Sequence, residues 1–309
     1  MSDARSQQPG ATAPRPAVYA HRGSSARWAE HTRAAYLQAL EDGADGVECD
    51  IHLTRDGQPV LWHDDTLDRT SDGTGDVADL TLAAMRRLDV SSWKGAAIPT
   101  RFGARSEQLL TLDDLLDLLL ACGRPVGLAI ELKHPSPAGR KLEEIVLTVL
   151  MRRGLDPETC RLGNISVSFM SFSAEAVNYL LATVTSDHVC QLIDEVSIHD
   201  LRTKELLGPV MRAIVTRYLR RIFSEANVVI NNQRVGLVGP GVAYVRRHPR
   251  RIERWVASGA VLRVWTVDDA EDAQYCLDRG VQELTSNRPG ELRTWLRTAQ
   301  PDTAIPTGA

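Results

Sequence analysis

Apolar positions along the chain form two patterns, short β-like runs and longer runs with helical spacing. A first strand is predicted at 18–20, and the next run predicts a helix over 29–42 whose apolar stripe is Tyr36, Leu37 and Leu40. The same patterns predict further strands at 45–54, 59–62, 126–132, 165–172, 189–193, 227–230, 261–267 and 283–285. They predict further helices at 112–120, 141–153, 174–184, 269–279 and from 289 onward.

The repeated strand-helix units over residues 17–300 predict a (β/α)8 TIM barrel, a fold whose usual size is roughly 250 residues. A doubly wound sheet is the alternative, but no Gly-x-Gly-x-x-Gly motif follows the first strand. Segment 64–110 is too long for an ordinary strand-to-helix loop, so we expect a small subdomain inserted after the second strand. Residues 1–16 and 301–309 are expected to be disordered tails.

The composition is that of a soluble globular protein. The chain has 309 residues, of which 43% are hydrophobic and 25% charged, with a net charge of −4. Its five cysteines include no Cys-x-x-Cys pair, which argues against a disulfide framework or a thiolate zinc site. No uncharged run approaches the roughly 20 apolar residues of a membrane span, and the first residues lack the apolar core of a signal peptide. We therefore expect a cytoplasmic protein.

Carboxylates interrupt two of the predicted apolar strands. Alternation along the second strand puts Glu48 and Asp50 on one face and Cys49 and Ile51 on the other, and Glu131 interrupts the strand at 126–132. If the apolar pair faces the outer helices, the carboxylates point into the barrel mouth, where they would repel unless protonated or bound to a cation. Oxygen ligands of this kind suit Mg²⁺ or Ca²⁺ better than zinc. A solvated strand edge is the alternative interpretation.

Basic and imidazole side chains follow the same strand ends. Arg22 and Lys133 would make a positive pocket for a phosphate, and His21 and His63 are suited to proton transfer near neutral pH. Cleavage of a phosphodiester needs one group to accept a proton from the nucleophile and another to protonate the departing oxygen. Which histidine takes which role stays open. Each of these residues could instead serve only as a hydrogen-bonding or ion-pairing group at a strand end.

Several motifs closely resemble those of the glycerophosphodiester phosphodiesterase family, and they occur in the family's order. They are His21-Arg22-Gly23, Glu48-Cys49-Asp50, His63-Asp64, Leu67-Asp68-Arg69-Thr70, Asp72-Gly73-Thr74-Gly75, Glu131-Leu132-Lys133 and Val264-Trp265-Thr266-Val267. The resemblance implies a TIM barrel with an insertion after the second strand. It also implies metal-dependent hydrolysis of glycerophosphodiesters to glycerol 3-phosphate and an alcohol.

The resemblance further implies a role for each site residue. His21 and His63 would be the acid-base pair, and Arg22 would hold the phosphate and assist catalysis. Glu48, Asp50 and Glu131 would bind a divalent cation, Mg²⁺ or Ca²⁺. Lys133 would neutralise phosphate charge, and Trp265 would form a wall beside the glycerol end.

Three departures from the family's motifs leave substrate choice open. His31, Asp268 and Ser286 stand where the family usually has other residues. Alternatives to the main hypothesis are therefore a phospholipase D-like or lysophospholipase D-like enzyme acting on lipids, and a catalytically weakened sensor that binds glycerophosphodiesters. A nucleic-acid phosphodiesterase is a further alternative. The head-group preference and the oligomeric state are not predicted.

A basic segment lies outside the predicted site. Residues 212–254 contain ten arginines and two glutamates, a net charge of +8, which leaves −12 for the rest of a chain that totals −4. Apolar residues over 211–223 have helical spacing with arginines between them, a pattern that an outer barrel helix explains. Weak contact with a membrane surface is the alternative. A nucleic-acid face is not expected, because the segment lacks interleaved aromatic residues.

Overall fold

The structure is a computed structural model, and it describes residues 15–195 and 208–299. Eight of the strands in these residues run parallel and close into a barrel, in the order β1-β10-β9-β8-β7-β6-β4-β2, with β2 also paired to β1. The fold is therefore the predicted TIM barrel. The strands are β1 (Ala17–His21), β2 (Gly46–Leu53), β3 (Pro59–Leu61), β4 (Val126–Leu132), β5 (Arg161–Leu162), β6 (Ile165–Ser171), β7 (Val189–Ile193), β8 (Leu237–Pro240), β9 (Val261–Val264) and β10 (Glu283–Ser286).

Two short strands lie outside the barrel and pair antiparallel with it, β3 with β2 and β5 with β6. Helices cover the outer face of the barrel. Their bounds are Arg33–Glu41, Leu82–Met85, Leu112–Leu120, Lys141–Arg152, Ala174–Leu180, Pro209–Asn231, Val242–Arg247, Pro249–Ala257, Ala270–Leu277 and Pro289–Ala299.

The first helix begins four residues later than its apolar pattern predicts. Thr32 is its N-cap, and the Thr32 hydroxyl accepts a hydrogen bond from the backbone N–H of Ala35 at 3.3 Å. This cap leaves residues 22–31 outside the helix as a turn-rich connection at the barrel mouth. The residues at its two ends contribute to the site described below.

The strand predicted at 227–230 is wrong, because these residues belong to the helix Pro209–Asn231. Their apolar run resembles a strand, but Ala226, Val229 and Ile230 are buried with helical spacing against the barrel. The strand expected in this region is β8, which begins seven residues after that run.

The segment between β3 and the helix Leu112–Leu120 has an apolar core of its own. It contains short 3₁₀ turns and one short helix. This core includes side chains from both ends of the segment. Its members are Val60, Trp62, Leu67, Val77, Met85, Val90 and Leu109. Its residues lie beside the carboxyl end of β2, so the segment borders the barrel mouth.

The interior of the barrel is filled at its lower end by a cluster that we call the lower layer, formed by Tyr19, Arg263 and Glu283. Arg263 is 2% exposed, and its guanidinium lies 4.3 Å from the centre of the Tyr19 ring. Gly46 and Gly127 flank the same ring, and a Cβ at either position would lie within 2.4 Å of it. The absence of side chains on the neighbouring strands therefore makes room for the tyrosine.

Among the described residues, no helix is long and apolar enough to cross a membrane.

Candidate active site

The chain turns sharply where β1 ends. Arg22 and Gly23 both have positive φ angles, 57° and 82°, which glycine adopts far more readily than arginine. A side chain at Gly23 would lie 2.6 to 2.8 Å from atoms of Ala35. The tight corner sets the Arg22 side chain inward over the barrel mouth, where it meets the acidic residues of β2.

Three carboxylates converge at this end of the barrel. One oxygen of each of Glu48, Asp50 and Glu131 lies within 4.8 Å of the others. Asp50 and Glu131 are direct neighbours in the pairing of β2 with β4, and the three residues are at most 9% exposed. Cys49 and Ile51 pack in the core outside the barrel, as the alternation along β2 predicts.

Two cations lie against these carboxylates, and we call the five residues the mouth cluster. The Arg22 guanidinium Nε lies 2.9 Å from Asp50 Oδ2, and the Arg22 backbone N–H donates to Glu48 Oε2 at 3.0 Å. Lys133 Nζ lies 3.0 Å from Glu131 Oε1 and 3.4 Å from Asp50 Oδ1. Three negative groups thus face two positive ones.

The pKa shifts in the mouth cluster express this imbalance. Burial, followed by the charge of Asp50, raises the pKa of Glu48 well above its usual range. Burial raises the pKa of Glu131 to about 7, although Lys133 opposes the shift. Asp50 is also desolvated, but the charges of Lys133 and Arg22 hold its pKa well below the usual range. When all three carboxylates are ionised, the mouth cluster therefore has more negative than positive charge.

The donor set fits a divalent cation. Asp50 Oδ1 is buried and accepts no hydrogen bond from the described residues, and its ion-pair contact with Lys133 Nζ is long, at 3.4 Å, so this oxygen could coordinate an ion. Three carboxylates from two adjacent strands supply the hard oxygen ligands that Mg²⁺ and Ca²⁺ prefer. The three residues could therefore hold such an ion.

His21, at the end of β1, is held by an amide. Its Nδ1 lies 2.7 Å from Asn287 Oδ1, while Asn287 Nδ2 donates to Asp268 Oδ2 at 2.6 Å. Because the amide nitrogen is committed to Asp268, the amide oxygen faces His21, and the proton of the neutral imidazole is assigned to Nδ1. Burial and the charge of Arg22 lower the pKa of His21 to about 4. Its Nε2 is thereby left as a proton acceptor.

His63, which follows β3, is held by a carboxylate. Its Nδ1 lies 2.5 Å from Asp64 Oδ1, and Arg69 Nε donates to Asp64 Oδ2 at 2.6 Å. The same guanidinium also donates twice to Glu30, at 2.7 and 2.8 Å, and Glu30 accepts a further bond from Arg22 NH1 at 2.9 Å. Burial lowers the pKa of His63 to about 4, while Asp64 favours its protonated form. A chain of ion pairs thus connects His63 to the mouth cluster.

The two histidines share one cavity of about 110 Å³. Trp265 lies in its wall, where its Nε1 donates to the Gly239 carbonyl at 2.9 Å and its ring meets Phe172 edge-on at 5.8 Å. All of the predicted site residues except Asp50 line this cavity, and Asp50 lies directly behind it in the mouth cluster. The lining comprises His21, Arg22, Glu48, His63, Glu131, Lys133, Met170, Phe172, Leu192, Arg263, Trp265 and Thr285.

Sequence analysis did not identify the residues that support this site. His31, which the sequence marks only as a departure from the family's motifs, is buried, and its Nε2 lies 2.9 Å from Asp50 Oδ2. Asp268 and Asn287 hold His21 from connections that follow β9 and β10. Arg69 had a signal, because it belongs to one of the quoted motifs. The pairing of Asp268 with Asn287 had none in a single sequence.

Comparisons with known proteins agree with the fold and the motifs. The model of the Glycerophosphoryl diester phosphodiesterase family matches residues 21–291. A Mycobacterium tuberculosis protein named "Probable glycerophosphodiester phosphodiesterase 1" is 37% identical over 91% of this chain and 92% of its own length. A Bacillus subtilis glycerophosphodiester phosphodiesterase is 28% identical over 87% of this chain and 83% of its own length.

Solved structures show the same fold. A phosphodiesterase from Oleispira antarctica, in complex with the product sn-glycerol-3-phosphate, is similar with a TM-score of 0.67 and 21% identity, over 91% of this chain and 96% of that one. A glycerophosphodiester phosphodiesterase from Thermotoga maritima has a TM-score of 0.61 and 20% identity, over 90% of this chain and 96% of that one. On the extent of the family match and the similarity of its relatives, this chain belongs to the glycerophosphoryl diester phosphodiesterase family.

Proposed function

We propose that the protein is a phosphoric diester hydrolase that converts glycerophosphodiesters to glycerol 3-phosphate and an alcohol, with the help of a divalent cation. The observation that supports this most directly is the convergence of three carboxylates, two cationic side chains and two histidines around one small cavity. A phosphodiester carries negative charge, so it requires positive charge at its binding site and proton transfer at its ester oxygens. The cavity offers groups for both.

Glu48, Asp50 and Glu131 would hold the cation, Mg²⁺ or Ca²⁺. When bound, the ion would neutralise negative charge on the phosphate and polarise its oxygens. The lack of a hydrogen bond to Asp50 Oδ1 and the raised pKa values of Glu48 and Glu131 support this assignment. His31 and Arg22, each 2.9 Å from Asp50, would fix the orientation of the central ligand.

Arg22 and Lys133 would bind the phosphate oxygens. An arginine presents a planar fork that matches two phosphate oxygens, and a lysine supplies a compact point charge. Lys133 is tied to two carboxylates, so it stays charged, and those charges raise its pKa despite its burial. Trp265 would close the wall beside the glycerol end of the substrate.

His21 and His63 would transfer the protons. His21 presents an unprotonated Nε2, because its Nδ1–H is used by an amide oxygen, which suits a proton acceptor. His63 lies against a carboxylate, which opposes the lowering of its pKa by burial, and the negative charge of a bound phosphate would further favour the protonated form that a proton donor needs. In the reaction, His21 takes a proton from the attacking oxygen as that oxygen bonds to phosphorus, the bond between phosphorus and the alcohol oxygen breaks, and His63 protonates the departing oxygen.

The attacking oxygen is either water or the free hydroxyl next to the phosphate on the glycerol. The second route passes through a cyclic phosphate that water then opens. Trapping a cyclic phosphate during turnover, together with solvent-oxygen labelling, distinguishes the two routes.

One assay tests the proposed function. Purified protein is given glycerophosphocholine, glycerophosphoethanolamine and a lysophospholipid, each with EDTA, with Mg²⁺ and with Ca²⁺. We expect glycerol 3-phosphate from the first two substrates, with release abolished by EDTA. A protein inert with every ion would support a binding sensor instead, and turnover of the lysophospholipid alone would favour a lipid-directed enzyme.

A pair of histidine variants tests the proton transfers. His63→Ala should reduce turnover about 10²- to 10⁴-fold, the usual contribution of a general acid. His188→Ala is the matched control, because His188 lies before β7 and does not line the cavity. Unchanged turnover in His63→Ala would contradict the assignment.

A cytoplasmic location and the exclusion of nucleic-acid substrates remain predictions, and cleavage of a simple oligonucleotide would overturn the latter.

A further inference from the structure

The helix Pro209–Asn231 is buried at one end only. In its second half, Ala226, Val229 and Ile230 pack against the barrel. Over residues 211–222, by contrast, no side chain that the structure describes is buried. Twelve residues of helix are about 18 Å long at about 1.5 Å per residue. The first half of this helix therefore presents several turns to the surroundings of the barrel.

Large apolar side chains occupy this exposed half. Met211, Ile214 and Tyr218 are 48%, 56% and 44% exposed, and their spacing of three and four residues puts them on one side of the helix. Among the described residues, the other exposed large apolar side chains are Trp93 and Val228, and Val228 is on the same helix. An outer barrel helix normally buries such a stripe, so the burial expected from the sequence holds only for the second half.

Two exposed arginines flank the apolar side. With about 3.6 residues per turn, Arg217 and Arg221 lie beside Ile214 and Tyr218, whereas Arg220 lies on the opposite side of the helix. Arg221 pairs with Glu225 at the surface. Residues 211–225 contain four arginines and one glutamate, a net charge of +3 in a chain of net charge −4, which is opposite in sign to an anionic lipid surface.

The exposed half lies at the same end of the barrel as the catalytic cavity. The helix ends at Asn231 and is followed after a short connection by β8, so its first half points toward the carboxyl ends of the strands. A groove of about 930 Å³ separates it from the helix Ala174–Leu180 and is lined by Tyr218, Ile222 and Phe172. Phe172 also lines the catalytic cavity.

We propose that residues 211–222 dock on the surface of an anionic lipid bilayer. Met211, Ile214 and Tyr218 insert among the lipid headgroups, while Arg217 and Arg221 contact lipid phosphates. Exposed apolar residues and arginines on one helix are the combination that binds the membrane interface. The docked protein has its barrel mouth turned toward the lipid, where diesters released from phospholipids are formed. The docking is independent of the proposed hydrolysis, because none of these five residues lines the catalytic cavity.

Vesicle flotation of the full chain tests the docking. We expect the protein to float with vesicles that contain phosphatidylglycerol, to stay behind with phosphatidylcholine alone, and to be released by high salt. The double variant Arg217→Gln/Arg221→Gln should bind about fivefold more weakly for each arginine removed. Ile214→Asp should also weaken binding, because it removes an apolar side chain and adds a negative charge that the anionic surface repels.

Matched controls come from elsewhere on the surface. Trp93→Asp removes an exposed apolar side chain, and Arg86→Gln/Arg87→Gln removes two exposed arginines; both variants should bind like the wild type. Turnover of a soluble glycerophosphodiester should be unchanged in every variant, and flotation gives its answer even if the protein proves inactive.

Three results would overturn the proposal. The first is absence of wild-type flotation with phosphatidylglycerol, or equal loss of binding in the control variants. The second is a wild-type dimer, detected by sedimentation, that Ile214→Asp dissociates, because a second copy would then cover this surface. The third is a fall of several degrees in the melting temperature of Ile214→Asp, because the side chain would then be covered by another part of the protein.

Discussion

The barrel interior holds charged side chains at two depths, and the two groups are balanced differently. In the lower layer, Arg263 Nε lies 2.6 Å from Glu283 Oε2, its NH1 donates to Ser168 Oγ at 2.9 Å, and Tyr19 covers the guanidinium. One cation meets one anion there, and Arg263 NH1 also contacts Met170 Sδ at 3.8 Å. In the mouth cluster, two cations face three carboxylates, and a buried oxygen of Asp50 accepts no hydrogen bond from the described residues.

Comparison of the two groups distinguishes buried charges that stabilise the fold from buried charges that are arranged to bind a ligand. Buried charges are tolerated when each has a partner and full hydrogen bonding, as in the lower layer. A cluster with surplus charge is costly to the free protein, and that cost is relieved when an ion of opposite charge binds. Arg263 also lines the catalytic cavity, so we expect the lower layer to affect mainly stability and the mouth cluster mainly activity.

The largest effect is expected from Glu48→Gln. The variant keeps the shape of the side chain and an oxygen that can accept the Arg22 N–H, but it removes a proposed ligand charge. Because a metal ion contributes several kcal/mol to phosphate chemistry, turnover should fall about a thousandfold or more. Metal-free stability should not fall, since the ionised Glu48 is destabilised by burial.

The control for Glu48→Gln is Asp113→Asn, at a carboxylate on the outer surface. Its turnover should equal that of the wild type. If Glu48→Gln turned over substrate at the wild-type rate, the expectation that the mouth cluster affects activity would be wrong.

Arg263→Met should have the next largest effect, this time on stability. Removal of one partner from a buried pair leaves the other charge unpaired, which costs about 3 kcal/mol of unfolding free energy. Urea denaturation measures it. The double variant with Glu283→Gln should recover part of the loss, because the orphaned carboxylate is gone. A loss below about 1 kcal/mol, or no recovery, would mean that the lower layer is not the stabilising pair described here.

Addition of Mg²⁺ or Ca²⁺ should stabilise the wild type. Binding to the folded state alone contributes about 2.7 kcal/mol when the ion is present at about a hundred times its Kd. Thermal melting with EDTA and with each ion measures the shift. Glu48→Gln should lose most of it, whereas the double variant in the lower layer should keep it. Equal shifts in both variants would show that the ion binds elsewhere.

A smaller effect concerns acid stability without metal. Burial lowers the pKa of His63 to about 4 in the folded protein, and an unfolded histidine titrates near pH 6.5. Between these values the unfolded chain binds the extra proton, so this contribution to stability is present above pH 6.5 and lost as the pH falls toward 4. Melting temperatures of His63→Asn should therefore fall less than those of the wild type over this window.

Tyr19→Phe serves as the control for that pH dependence. Burial raises the pKa of Tyr19 to about 12, so this side chain does not titrate in the acid range. Its melting temperature should follow the wild-type pH dependence. A flatter curve in Tyr19→Phe than in His63→Asn would contradict the assignment of acid sensitivity to the mouth.

Much of the fold could be predicted because barrel strands and helices leave different periodicities in the chain. The failure at 227–230 has a physical cause. A short run of valine and isoleucine satisfies either a buried strand or the buried side of a helix, and only the neighbouring turns distinguish them. Here Ala226 and the residues around it continue the helix into the barrel surface.

The carboxylates could be predicted because Glu48, Asp50 and Glu131 interrupt strands that are otherwise apolar, and such interruptions are visible in the sequence. The groups that orient the site left no such signal. Asn287 reaches His21 from 266 positions along the chain, and a polar residue in a connection is unremarkable until the barrel brings it to the mouth. Residues that act by contact across the fold are found only when their partners are known.

Arg22 contacts three carboxylates, and these contacts affect how tightly an ion and a phosphate substrate bind. Its side chain contacts Asp50 and Glu30, and its backbone contacts Glu48, so an incoming phosphate must compete with carboxylates for the guanidinium. If a cation binds to Asp50 and Glu48 as proposed, it would weaken that competition, and a phosphate on Arg22 would release Asp50 toward the ion. Each ligand would then tighten binding of the other by the same factor, and the apparent Kd for substrate would fall as the ion concentration rises.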